Sequence, residues 1–263
     1  MALNHERILG SNRETPCVRE VFGISGSGKS VFLHEMLKEA SRAKAYGPMW
    51  RAVVFDVKHE GYASLLPKKM HPCTNMTEVV EQMKNSRITV VHPEVLGAQG
   101  FLDELIHYLF STAERVKGFS ATLILEESST FIKANSLPAS IKRFATQGRS
   151  RGLALVVANQ RSLSNKWIDT QAASVTLFRL ARPDADMLSK RWGICPDNLE
   201  SRLGEKKFSF AYFDLESLSL DFYEPITMTS ERLTAKAEIK PSKPEKPFGG
   251  GFGPEGGFKP FGV

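Results

Sequence analysis

Cysteine is scarce in this chain: Cys17, Cys73 and Cys195 make an odd number among 263 residues, far apart and with no Cys-x-x-Cys spacing. That excludes a disulfide framework and a structural zinc site, and it is expected of a protein kept in a reducing, intracellular compartment. His71-Pro-Cys73 is the nearest approach to a metal pair, and with no second pair at ligand spacing it reads as loop. Long hydrophobic runs are missing too. No apolar stretch approaches the ~20 residues of a membrane helix, and Met1-Ala-Leu-Asn-His-Glu-Arg-Ile8 lacks the apolar segment of a signal peptide, so a soluble, untargeted chain without a transmembrane segment is expected. Neither sign of charge dominates. The 35 Lys and Arg against 29 Asp and Glu leave +6, a mild surplus that favours an anionic partner without naming one.

The strongest positive signal is Gly23-Ile24-Ser25-Gly26-Ser27-Gly28-Lys29-Ser30, a G-x-x-x-x-G-K-S loop entered from Val18-Arg-Glu-Val-Phe22 and followed by the helical run from Val31 to Leu37. Glycines let the backbone curl so that successive N–H groups point inward at phosphate oxygens, at the positive end of the following helix. Lys29 is then placed to reach β- and γ-phosphate oxygens, and the Ser30 hydroxyl to sit on Mg²⁺. A nucleoside triphosphate, with ATP as the first choice, is the expected ligand, held by residues 23–31 including Val31.

The rest of the chain alternates in period. After the loop helix, expected to fade near Tyr46-Gly-Pro48, the segments Trp50 to Asp56, Arg87 to His92, Ala121 to Leu125 and Leu153 to Ala158 read as buried strands. Between them, Thr77 to Lys84, Gly100 to Val116 and Ile141 to Gln147 read as helices, the second with Phe101, Leu105, Leu109, Ala113 and Val116 on one face. Val175 to Leu180 reads as a further strand, Pro183 to Trp192 as a helix, and Lys207 to Tyr223 as a hairpin. Such alternation implies an α/β fold, a mainly parallel sheet covered on both faces with ligands at the carboxyl ends of its strands. The expected organisation is an extension over residues 1–16, one domain over 17–238, and a Gly/Phe/Pro-rich tail over 239–263. That tail cannot bury enough surface to offset its ordering entropy, so it reads as disordered. Its Phe248, Phe252, Phe258 and Phe261, with Lys246 and Lys259 nearby, offer either a solvated terminus or a handle for a partner.

Asp56, Glu126 and Glu127, and Asn159 and Gln160 all fall at strand ends. Hydrolysis needs one carboxylate in the metal shell and another to activate water, roles that suit Glu126 and Glu127 respectively. An acidic start to a helix is the alternative for that pair. Gln160 is placed to sense the γ-phosphate or orient the water.

Taken in order, residues 23–30, Val53-Val-Phe-Asp-Val-Lys-His-Glu-Gly-Tyr62, Leu123-Ile-Leu-Glu-Glu127, Gln147-Gly-Arg-Ser-Arg-Gly-Leu153, Val156-Val-Ala-Asn-Gln-Arg-Ser162 and Val175 to Asp184 resemble the FtsK–HerA superfamily of DNA-pumping ATPases. The resemblance runs from about Val18 to Tyr223. It implies a phosphate-loop fold of the RecA-like kind and a ring-shaped homo-oligomer, a hexamer, that uses ATP and Mg²⁺ to move double-stranded DNA. It also implies an arginine supplied to the neighbouring subunit's site, for which Arg149 and Arg151 are candidates and Arg179 a third; phosphate contact with DNA or a solvated loop are the alternatives for the first two. The small size is similar to the genome-packaging ATPases of membrane-containing icosahedral viruses. That implies a preformed capsid as destination, a capsid-vertex or membrane protein as a partner of the tail, and the host cytoplasm or the virion as location. Glu126 departs from the family's usual aspartate by one methylene. Two other classes of function fit the same motifs: a conjugation-type motor on single strands, and a nucleotide-gated assembly or adaptor protein that binds without turnover. A small-molecule kinase fits less well, because the carboxylate pair and glutamine suit attack by water.

Overall fold

The computed structural model describes residues 5–10, 17–59, 61–94, 96–161 and 165–225. The expected tail over 239–263 and most of the extension over 1–16 lie outside the described residues.

Eight strands form one sheet: β1 (Val18–Phe22), β2 (Trp50–Phe55), β3 (Ile88–Val91), β4 (Ser120–Leu125), β5 (Leu153–Asn159), β6 (Ala172–Leu177), β7 (Phe210–Asp214) and β8 (Ser219–Tyr223), in the spatial order β3-β2-β4-β5-β1-β6-β7-β8. The first six run parallel, as expected from near-continuous apolar runs; every residue of β1 and β5 is buried. The expected hairpin, β7 and β8, pairs antiparallel onto β6 and extends the same sheet.

Helices cover both faces. On one side α3 (Met76–Asn85), α4 (Ala98–Arg115) and α5 (Ala139–Gln147) pack over a cluster that includes Phe55, Leu105, Leu109, Phe110, Leu123, Phe144 and Leu155. On the other, α1 (His5–Leu9) and α2 (Lys29–Arg42) bury Ile8, Leu9, Phe32, Leu33, Met36 and Leu37 against Val21, Val54 and Val156. Burying each of the larger side chains contributes about 1.5–3 kcal/mol, which holds α2 in place although Gly28 gives it no side-chain cap. At the start of α3 the Asn75 side chain accepts from the Glu78 amide at 3.0 Å, and Glu78 in turn accepts from the Thr74 amide at 2.7 Å. Beyond β6, α7 (Arg182–Trp192) and α8 (Pro196–Glu205) bury Leu188, Leu199 and Leu203 against β6 and β7.

Four local expectations differ from what forms. Helix α2 stops at Arg42, short of Tyr46, because Tyr46 is withdrawn to stack on Trp50 at 4.2 Å. The buried stripe of α4 is Leu102, Leu105, Ile106, Leu109 and Phe110; Phe101, Ala113 and Val116 are only partly covered, since the helix turns the first set toward the sheet and α5. Strand β6 ends at Leu177, so Phe178 to Leu180 continue as a loop. Helices α1 and α8 were not anticipated: the first is very short, and the second carries an apolar stripe of only Leu199 and Leu203 behind Pro196. Cys73 is buried, and burial, with Glu78 nearby, pushes its thiol up to about 12. Among the described residues no helix is long and apolar enough to cross a membrane.

One buried charge sits beneath the phosphate loop. Glu20 of β1 is 1% exposed, and it faces Asp169 of α6 (Lys166–Asp169), which pairs with Arg191 of α7 at 3.2 Å. Burial first, and the Asp169 carboxylate second, push the Glu20 pKa well above the ordinary value near 4.5, with Arg191 pulling the other way. The folded state therefore holds this proton more tightly than the unfolded chain. Its stabilisation is complete below about 4.5 and is lost as pH rises through the higher folded-state value. Thermal unfolding across pH is expected to show stability falling between about 4.5 and that higher value and levelling off beyond it, and Glu20→Gln to flatten that part of the profile; an identical profile in the variant counts against the assignment.

Candidate functional site

The loop after β1 is shaped by its glycines. Gly26 (φ 72°) and Gly28 (φ 107°) lie in the left-handed region that other residues rarely adopt. Gly23 is required by space: a Cβ there would stand 2.6 Å from Phe178 Cβ and 2.7 Å from Ser27 Oγ. The Gly23 amide donates to Asn159 O of β5 at 3.3 Å and the Ile24 amide to Arg179 O at 2.9 Å, so the loop hangs between the ends of β5 and β6. Lys29, 6% exposed, lies over the loop and donates to Gly23 O (2.7 Å) and Ile24 O (3.2 Å). Ser25 and Gly26 are exposed at the tip, Ser27 is buried with an unpartnered hydroxyl, and Ser30 and Val31 open the helix half-buried. A Gly23→Ala variant is expected to lose about 1–3 kcal/mol of stability, because Phe178 Cβ is too close to its own backbone to move aside. Calorimetry checks this; an unchanged melting temperature would mean that the loop has more room than its packing indicates.

The acidic pair follows β4 at the same edge. The Glu126 amide donates to Phe55 O at 3.1 Å, and its carboxylate, on a residue 3% exposed, accepts a short hydrogen bond from the Tyr62 hydroxyl. Glu127 is left-handed (φ 49°, ψ 49°) and opens a single 3-10 turn, Ser128–Thr130, not a longer acidic helix. Its Oε1 accepts from Gln160 Nε2 at 2.9 Å and pairs closely with Lys58 Nζ. Strand β5 stands between β1 and β4, which brings Gln160, just past its end, between the phosphate loop and the carboxylates. Asp56 ends β2 fully buried, where it accepts from the Lys58 amide at 3.1 Å and faces His92 at 3.5 Å. Among the described residues no cluster of three His, Cys, Asp or Glu closes around a cation. The oxygen donors present, Ser30 and Glu126, match the way Mg²⁺ is held, through one or two protein oxygens with the remaining ligands from phosphates and water.

The arginines divide. Arg149–Arg151 form a 3-10 turn before β5, and β5 runs parallel to β1, so both lie at the amino edge of the sheet, about 20 Å of strand from the phosphate loop of the same chain. Arg151 Nε donates to Glu114 at 3.0 Å, and its guanidinium lies 5.3 Å from the centre of the Phe110 ring. Arg179 is exposed beside the loop that its carbonyl supports.

Sequence reasoning did not single out Lys58, Tyr62 or Phe208. The first two sit within the segment Asp-Val-Lys-His-Glu-Gly-Tyr behind β2, where a cluster of polar residues at a strand end was the available signal. Phe208 is left-handed (φ 72°) and 41% exposed, and its ring would meet a Cβ on Gly28 at 3.2 Å, which places an exposed aromatic against the phosphate loop.

No protein-family model matches the sequence, and no curated protein does. Solved structures do match. The genome packaging NTPase B204 from Sulfolobus turreted icosahedral virus 2, in complex with ATP-gammaS, superposes with a TM-score of 0.62 at 18% identity, covering 81% of this chain and 98% of that one. B204, the DNA-packaging ATPase from Sulfolobus Turreted Icosahedral Virus, gives 0.60 at 17% identity over 81% and 99%. EccC (ATPases 2 and 3) from Thermomonospora curvata, in complex with a signal sequence peptide, gives 0.51 at 13% identity over 82% of this chain and 38% of that one. With the loop, the paired carboxylates and the glutamine on the carboxyl edge of one sheet, the chain has the P-loop NTPase fold that these structures share.

Proposed function

We propose that this chain hydrolyses ATP to move double-stranded DNA, as one subunit of a ring, and that it packages a viral genome into a preformed capsid. The observation that carries the hydrolytic part is the contact between Gln160 and Glu127, which fixes a carboxylate and an amide side by side at the edge where the phosphate loop ends. Glu127 takes the proton of the attacking water, and Gln160 orients that water or senses the γ-phosphate. Lys29 leaves the carbonyls of Gly23 and Ile24 for the phosphates, and the loop amides receive phosphate oxygens. Ser30 and Glu126 would hold Mg²⁺, which supplies positive charge against the phosphate oxygens. In a ring, Arg149 or Arg151, at the sheet edge opposite their own loop, serves a neighbour's site; Arg179 is the alternative.

The DNA and capsid parts rest on the fold shared with two packaging enzymes and on the order of the motifs. The partner protein is proposed to engage the tail over 239–263. The test is ATP turnover by the purified chain with and without linear duplex DNA, alongside its mass in solution. Turnover raised by duplex DNA in a ring-sized particle is the expected result. Stimulation by single strands alone would favour the conjugation-type motor. A second reading, a nucleotide-gated switch, is favoured by the Lys58 contact, which already engages the Glu127 carboxylate; ATP binding with no turnover, even with capsids added, would select it.

A further inference from the structure

The charge of the chain is unevenly placed. Residues 128–170 hold seven Lys and Arg against a single acidic residue, Asp169, a surplus equal to the +6 of all 263 residues. The remainder of the chain is therefore balanced, and Asp169 is taken up inside the fold by Arg191.

Three of these lysines come together. Lys133 lies in the loop after β4, and its carbonyl accepts from Asn165 Nδ2 at 2.8 Å. Asn165 caps α6, so the next residue, Lys166, stands beside that loop. Lys142 of α5 holds its ammonium 3.7 Å from the centre of the Trp167 ring, and Trp167 is 48% exposed. Lys142, Lys166 and Trp167, with Asn135 and Asn165, line one hollow, and among the described residues no carboxylate lines it. Lys133, Lys142 and Lys166 are all exposed.

We propose that Lys133, Lys142, Lys166 and Trp167 form the surface that holds the phosphate backbone of duplex DNA; this rests on the translocase reading and names where such a motor grips. Lysine ammoniums are compact point charges that suit phosphates without reading sequence. Trp167 gives one ring contact to Lys142, so it braces a cation, and this favours backbone contact on a duplex over stacking with the bases of a single strand. The surface is also tied to the chemistry. Lys133 Nζ donates to Ser129 O at 2.7 Å, the Ser129 amide donates to Asn159 Oδ1 at 3.4 Å, and the turn that holds Ser129 begins at Glu127. A phosphate that draws Lys133 away pulls on the segment that positions the carboxylate.

The test measures binding of a short linear duplex to the full chain across about 50–200 mM salt, the range over which phosphate contacts are read from the slope of log K against log salt. The triple variant Lys133→Gln, Lys142→Gln, Lys166→Gln is compared with Lys44→Gln, Lys68→Gln, Lys69→Gln, three lysines exposed elsewhere. With about 0.9 in slope for each phosphate contact, the first variant is expected to flatten the slope by about 2.7 and the second to leave it close to wild type. Replacing the same three residues by Arg is expected to restore the slope. If the wild type binds duplex and both glutamine variants change alike, or the first does not change, the surface is wrong while the translocase reading stands. A loss seen on single strands and not on duplex overturns the duplex assignment. If the wild type binds no nucleic acid under any of these conditions, the translocase reading falls and this inference with it.

Discussion

A Glu127→Gln variant is expected to bind ATP within a few-fold of wild type and to turn it over about 10²–10⁴-fold more slowly, the usual cost of losing a positioned proton acceptor. The amide keeps the size of the side chain and can still meet Gln160, whose Nε2 stands 2.9 Å from the present carboxylate, but it cannot take a proton from water. Stability should change little. The ion pair that is lost involves Lys58, whose side chain is 35% exposed, and exposed pairs contribute little after screening. Single-turnover kinetics beside equilibrium nucleotide binding separates the two effects. Turnover at the wild-type rate would remove Glu127 from the mechanism and favour the nucleotide-gated switch.

Replacing Lys29 by Ala is expected to act on binding. A buried cation that meets phosphate oxygens contributes about 2–5 kcal/mol when its loss leaves the partner charge unpaired, so ATP affinity should fall by roughly 30-fold to several thousand-fold. The same variant has a signature without nucleotide. Lys29 Nζ donates to the carbonyls of Gly23 and Ile24, and removing two such bonds is expected to lower stability by about 1–3 kcal/mol. Titration calorimetry with ATP and thermal unfolding of the ligand-free chain measure the two separately. Unchanged affinity would mean that the loop does not receive a triphosphate.

The two variants together separate loss of binding from loss of turnover, because the residues they change adjoin different strands. Glu127 follows β4 and Lys29 opens α2 after β1, and those two strands do not touch; β5 lies between them and carries Asn159 to the loop and Gln160 to the carboxylate. The amide and carbonyl contacts at the end of this one strand connect the glycine loop to the acidic pair.

Much of this was legible from local pattern. Six buried strands and the hairpin show in apolar runs and in alternation, because a residue's burial in a strand depends on its own side chain and its immediate neighbours. The phosphate loop shows for a related reason: its glycines answer a backbone need within eight residues, at positions where Gly26 and Gly28 take left-handed angles and Gly23 has no room for a Cβ. Glu126, Glu127 and Gln160 were found because a parallel sheet gathers its strand ends on one edge.

What pattern could not give is contact across strand order. Lys58 meets Glu127 at a separation of 69 residues and Tyr62 meets Glu126 at 64, and both pairs exist because β2 lies against β4 in one register. Phe208 reaches Gly28 only because β7 folds back antiparallel beside β6. The placing of Arg149 and Arg151 at the far edge, and of Arg179 at the near one, follows from which end of a strand each adjoins. Spacing in the sequence therefore located the glycine loop and the polar strand ends, since each depends on particular residue types at particular turns. Which side chains hold those groups in place, and which surface gathers the surplus charge, depended on packing between segments distant in sequence, and only the tertiary structure decided that.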